Sequence, residues 1–129
     1  MNEGSSDEDE EKADAQLDVT DAPQIAKDTG AKIYGIYDFM QWMGPRDGVE
    51  CVGFNKGGTV AIGDVKVTMV NATHSSSAMV DGKPVYTGAE AGFMIAGEGE
   101  TVYFAGDTDV MADMALFAEM HQPTIGILP

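Results

Sequence analysis

The chain has 129 residues, 22 of them acidic against seven basic, and a formal net charge of −15. That length supports one domain with a core, and so negative a surface repels nucleic acid and anionic membranes. A single cysteine, Cys51, excludes an internal disulfide and a cysteine-built zinc cage. No apolar run approaches the roughly 20 residues of a membrane span, and the amino terminus is acidic where a signal peptide would be basic, so a cytoplasmic protein is expected.

Residues 1–16, MNEGSSDEDEEKADAQ, lack apolar periodicity. Nine acids and one base fall within the first 21 residues. Like charge at that density cannot collapse onto a core, so an acidic disordered tail is predicted over residues 1–19, solubilising or available to a partner. One folded domain is predicted over 20–129. Thr20 or Asp21 suits a helix cap, Pro23 the first turn and Gly30 the end, so DAPQIAKDTG reads as a short helix. AKIYGI reads as a buried strand, YDFMQWMG as a second short helix, and the stretch through Pro45 as a loop.

VECVGF is the next strand. TVAIG and VKVTMVN flank Gly63-Asp64, and GFMIAG and TVYFAG flank Glu98-Gly99-Glu100, which are hairpin signals. From Asp109 the period changes to 3.6. Val110, Met114 and Phe117 then share one face of an amphipathic helix, with Asp109 in its first turn, where an acid suits the helix dipole. TIGILP reads as a last buried strand, and the nine methionines as core filler.

Two histidines are present. His121 closes the amphipathic helix, where a cation suits the dipole. His74 lies in VNATHSSS, past a strand end, and Asp107 lies in AGDTD, past another. Asp107 is either a helix cap or, with His74, a metal ligand on a common rim of the sheet, since imidazole and carboxylate suit zinc or a similar divalent ion. Ser75, Ser76 and Ser77 follow His74, but no third group orients a triad, so no catalytic nucleophile or base is assigned.

From about Asp21 onward the sequence resembles the metal-dependent hydrolases of the metallo-β-lactamase superfamily. The resemblance rests on DAPQIAKDTGA, FNKGGTVAIGDVKVTMVNATHSSS, PVYTGAEAGFMI and TVYFAGDTDVMADM. It implies an α/β (α+β) fold, an αββα sandwich with a mixed, largely antiparallel sheet and flanking helices, here an incomplete one, a fragment of the family pattern. By the same resemblance His74 binds one divalent metal, zinc or manganese, and Asp107 bridges two. The family motif H-x-H-x-D-H aligns with Ala13 to Asp18, where none of its ligands is kept; Asp18 replaces a histidine and is a third candidate ligand. The family's last histidine lies beyond the strand matching TIGILP.

Complete relatives cleave an ester, lactone, amide or phosphodiester with metal-bound hydroxide, so the partner would be a small-molecule substrate. With two or three ligands left, weak or absent metal binding and an inactive chain are expected. The alternative is a non-catalytic partial fold. Its uncovered sheet would drive a homo-oligomer or dock on a partner.

Overall fold

The computed structural model describes residues 21–129, so the acidic tail, a cap at Thr20 and the candidate ligand Asp18 lie outside the described residues. The first helix, α1 (21–29), buries Pro23 and Ala26 and stops at Gly30. Gly30 takes a φ of +74°, and its N–H donates to the Ala26 carbonyl at 2.8 Å. The expected glycine stop is therefore present.

Strand β1 (Ile33–Ile36) runs directly into α2 (Tyr37–Asp47), which returns the chain to β2 (Cys51–Phe54), parallel to β1. In β1 only Gly35 is buried, so this strand is less enclosed than its apolar run implies. The helix also runs past the expected stop, through Pro45 to Asp47. Pro45 lies in the last turn, where the missing N–H costs a single ladder bond. Gly48, left-handed at φ +66°, then closes the helix by donating to the Gly44 carbonyl at 2.9 Å. Arg46 stacks over the Trp42 ring one turn earlier, 4.5 Å from its centroid.

The main sheet has the order β3-β4-β7-β8-β9. Its strands are β3 (Thr59–Ile62), β4 (Val65–Asn71), β7 (Ala91–Gly97), β8 (Glu100–Phe104) and β9 (Ile125–Ile127). All neighbours are antiparallel except β8 and β9, which gives the expected mixed, largely antiparallel pattern. Both expected hairpins form. Glu98 and Gly99 both have positive φ, the requirement of a type I′ turn between paired Gly97 and Glu100. A third hairpin, β5 (Ser77–Val80) with β6 (Lys83–Tyr86), was not anticipated. Its turn is Asp81-Gly82, again with both φ positive, so its sequence signal was present.

On one face of the sheet Val70, Met94, Tyr103 and Ala105 pack under Phe117 of α3 (Asp113–His121), with Met111 and Met114 against them. This corrects the expected helix start. Residues 109–112 are not helical, Ala112 is the N-cap and Asp113, not Asp109, occupies the first turn. Val110 is 80% exposed rather than on the buried face. The Asp109 carbonyl, which a helix starting there would offer to the N–H four residues on, instead accepts from Thr108 Oγ1 at 2.8 Å, while the Asp109 N–H donates to the Thr73 carbonyl at 3.0 Å.

The methionine expectation holds for Met40, Met43, Met69 and Met94, which are buried, but Met79 and Met120 are exposed. The opposite sheet face carries a cross-strand row of Val60, Val67, Ile95, Val102 and Ile125 in register. Over the central strand β7 this face meets the layer of β1 and β2, where Phe54 and Phe93 have ring centroids 6.2 Å apart. Towards β9 the cover ends. Ile125 and Ile127, expected to be buried, are each 49% exposed, because among the described residues β9 pairs on one side only and lies beyond the cluster under α3. Among the described residues no helix is long and apolar enough to cross a membrane.

Candidate metal-binding cleft

Strands β4 and β8 both pair antiparallel with β7, so they point the same way and release the chain at one rim of the sheet. His74 lies beyond β4 and Asp107 beyond β8. The two strands are separated by β7 and are not direct neighbours, so connecting contacts must bring the loops together. Gly92 permits one approach: a Cβ there would lie 3.0 Å from the Ala105 carbonyl oxygen and 3.1 Å from that of Phe104. A side chain at residue 92 would press against the segment leading to Asp107.

Two hydrogen bonds then join the loops. The Thr73 N–H donates to Thr108 Oγ1 at 2.9 Å, and the Asp109 N–H donates to the Thr73 carbonyl at 3.0 Å. Residues adjacent to both candidate ligands are thus held across the rim. Asp107 is not a helix cap, since α3 begins six residues later and its N-cap, Ala112, makes no side-chain cap bond. The bland reading of this acid is therefore removed by the geometry.

His74 and Asp107 are both exposed and line one open cleft of about 480 Å³. The His74 Nδ1 lies 3.0 Å from the Ser75 carbonyl oxygen. A carbonyl only accepts, so this contact assigns the proton to Nδ1 and leaves the Nε2 lone pair available to a metal. Ser75 Oγ is 3.5 Å from the same nitrogen, a long contact with no carboxylate behind the ring to complete a triad.

Ser76 has a structural task. Its carbonyl accepts from the N–H and the hydroxyl of Thr87, at 3.0 and 3.1 Å, and its own hydroxyl meets Thr87 Oγ1 at 3.1 Å. Thr87 is buried, so these bonds satisfy it and tie β6 to the His74 loop. Sequence reasoning missed Thr87 and Glu90, which also line the cleft. The overlooked Asp81-Gly82 hairpin was the signal for this wall.

Two oxygen or nitrogen donors on one cleft suit a divalent cation. However, no group of three or more His, Cys, Asp or Glu among the described residues is placed to hold one. The donor set fits part of a metal site and does not close it. His121 lies elsewhere, in the last turn of α3 beside a separate pocket with Phe117 and Met120, in keeping with its expected dipole role. Cys51 is half-buried, and its thiol is raised above its ordinary pKa, first by burial and second by the nearby Asp47 carboxylate. It is not an activated nucleophile.

A mixed sheet with helices outside and a His–Asp pair at one rim defines a class, the metallo-β-lactamase-like hydrolase fold. The sequence profile of the β-lactamase superfamily domain matches residues 9–129, and the chain belongs to that family, the metal-dependent hydrolases of the metallo-β-lactamase superfamily. It is similar to a UPF0173 metal-dependent hydrolase of Dinoroseobacter shibae, 65% identical over 110 residues, covering 85% of this chain and 48% of that protein. It is 54% identical over 108 residues to another from Paracoccus denitrificans, covering 84% of this chain and 47% of that one. Among solved structures it is similar to Igni18, a metallo hydrolase from the archaeon Ignicoccus hospitalis. That likeness has a TM-score of 0.71 at 30% identity, over 86% of this chain and 46% of that one. The chain spans about half the length of the relatives it matches.

Replacing Thr108 by Val removes the oxygen that accepts from Thr73. A cost of about 1 kcal/mol is expected, with faster amide exchange at Thr73, and Ser at the same position should restore both. Unchanged exchange at Thr73 in the Val variant would show that this bond does not hold the loops.

Proposed function

We propose that this chain carries one histidine and one carboxylate ligand, His74 and Asp107, of a metal-dependent hydrolase site. We further propose that these 129 residues alone hydrolyse substrate at or near background. The supporting observation is that both side chains line one cleft while the nearest alternative for Asp107, a helix cap, is absent. In this reading Asp18 is a third donor, and zinc or manganese is the metal, because imidazole and carboxylate donors serve both.

A bound divalent metal supplies water acidic enough to be deprotonated near neutral pH and polarises the substrate's oxygen. The residues present have narrower tasks. Ser75 orients the His74 ring through its carbonyl, the Thr73–Thr108 bond holds Asp107's loop beside it, and Ser76 with Thr87 fixes the wall. His74 and Asp107 leave half of a tetrahedral shell open, and Asp18 as a third donor still leaves one position to solvent, so binding is weak. The reduced-thiol chemistry of a lone cysteine fits a cytoplasmic setting.

The second reading, self-association, is favoured by the open sheet face, where Ile95, Phe104, Ile125 and Ile127 are each more than a third exposed. A second copy covering this face would bury those side chains, and the net charge of −15 would oppose the pairing at low salt.

Calorimetric titration of the purified chain with zinc and with manganese should give weak heats that disappear in both His74→Ala and Asp107→Ala. Heats that persist in both variants would remove the metal reading. Light scattering of the same chain should show mass rising with salt if the sheet face pairs, and the rise should vanish in Ile125→Lys; a salt-independent monomer would dismiss the second reading.

A further inference from the structure

We infer that Asn71 is a positioning residue of the proposed site: its side-chain amide clamps the downstream end of the Asp107 loop to the strand that leads into His74. This rests on the reading of His74 and Asp107 as metal ligands, and it adds what holds the carboxylate in place.

Asn71 is the last residue of β4, and asparagine is disfavoured in strands, where its side chain competes with the ladder for backbone hydrogen bonds. Here the side chain reaches across to two other segments instead. Lys56 Nζ donates to Asn71 Oδ1 at 2.6 Å, and Asn71 Nδ2 donates to Asp113 Oδ2 at 3.1 Å. The same nitrogen lies 3.7 Å from Met111 Sδ. An ammonium only donates and a carboxylate only accepts, so an amide between them matches both neighbours at once. Lys56 stands on a fixed base. Its turn is pinned to β4, where the Gly57 N–H donates to the Met69 carbonyl at 2.8 Å and the Met69 N–H donates to the Gly58 carbonyl at 3.1 Å.

The consequence lies in the loop over residues 106–112. Its upstream end leaves β8 at Ala105, whose N–H donates to the Ile127 carbonyl at 3.0 Å. Its middle meets Thr73 through Thr108 and Asp109. Its downstream end, at Met111 and Asp113, meets Asn71. Asp107 therefore sits on a loop held at both ends and in the middle. The last two anchors fall on residues 71–73, directly before His74. Metal ligands lose affinity when the partners behind them no longer fix their position, and Asn71 acts on Asp107 through the loop's backbone.

A charge swap tests this. Asn71→Asp keeps an acceptor for Lys56 but sets a second carboxylate against Asp113, where like charges repel. Asp113→Asn alone keeps an acceptor oxygen for Asn71 Nδ2, and the two changes together restore a donor–acceptor pair with its direction reversed. Amide exchange is followed first, in the metal-free 129-residue chain. In Asn71→Asp the Thr73 and Asp109 amides should exchange about fivefold faster or more, which the loss of one net hydrogen bond allows. In the double variant both should return to within about twofold of the unaltered rate. The amides of buried Met94 and Tyr103 should keep their rates throughout. Unchanged exchange at Thr73 and Asp109 in Asn71→Asp would overturn the inference. So would acceleration shared by the core amides, or a double variant no slower than the single one.

Substoichiometric manganese is then added. Asn71→Asp should lose paramagnetic broadening at residues 106–109 while keeping it at 73–76, and the double variant should regain it. Equal broadening of both loops in Asn71→Asp would also overturn the inference. Absence of broadening in the unaltered chain would instead refute the ligand reading, and the metal-free exchange rates judge the anchor independently of it.

Discussion

Two backbone-anchored hydrogen bonds, Thr73 N–H to Thr108 Oγ1 and Asp109 N–H to the Thr73 carbonyl, hold together the loops that carry His74 and Asp107. The sheet delivers His74 and Asp107 to the same rim, yet β7 lies between the strands that carry them. Without the two bonds the loops would be separate surface segments, each with a polar side chain and no shared chemistry. Asp109 is drawn into the same junction: its N–H donates to the Thr73 carbonyl and its own carbonyl accepts from Thr108 Oγ1, and α3 begins at Asp113. A contact 35 residues apart in sequence thereby joins the loops that carry the two candidate ligands.

Much of this architecture is legible in the residues because it is local. Gly63-Asp64 and Glu98-Gly99 specify tight hairpins through the φ values they tolerate, and Gly30 ends α1 for the same reason. The Asp81-Gly82 turn obeys the same rule, and the hairpin it closes brings Ser77, Ala78 and Thr87 to one wall of the cleft. Other features depend on partners distant in sequence. The apolar period running through Val110 looks helical, but period alone does not register that Asp109 is bonded elsewhere. The run TIGILP looks buried, but burial of a strand depends on what covers it, and among the described residues β9 has a neighbour on one side only. His74 and Asp107 were identifiable as candidates from residue type and strand-end position; that they line one cleft is a property of the strand order.

The energetic character of the domain follows from its two unequal faces. Under α3, Tyr103 and Phe117 meet edge to face at 6.0 Å, and Met94, Val70 and Ala105 fill the space around them. Burial there is close enough that the Tyr103 hydroxyl has no hydrogen-bond partner among the described residues, and its ionisation is pushed to higher pH by desolvation. Among the described residues, the other face is covered where β1, β2 and α2 reach it. The cleft lies at that border, between the small parallel layer and the rim of the main sheet, which is why its lining is apolar on one side and carries His74 and Asp107 on the other.

The central claim is that residues beyond β4 and β8 form one cation-binding locus. Paramagnetic broadening of amide resonances by substoichiometric manganese tests it most directly. Residues 73–76 and 106–109 should broaden together at the same added manganese, while His121 at the far end of α3 stays sharp. Broadening confined to the acidic residues near the amino terminus, or to one of the two loops without the other, would contradict a shared site.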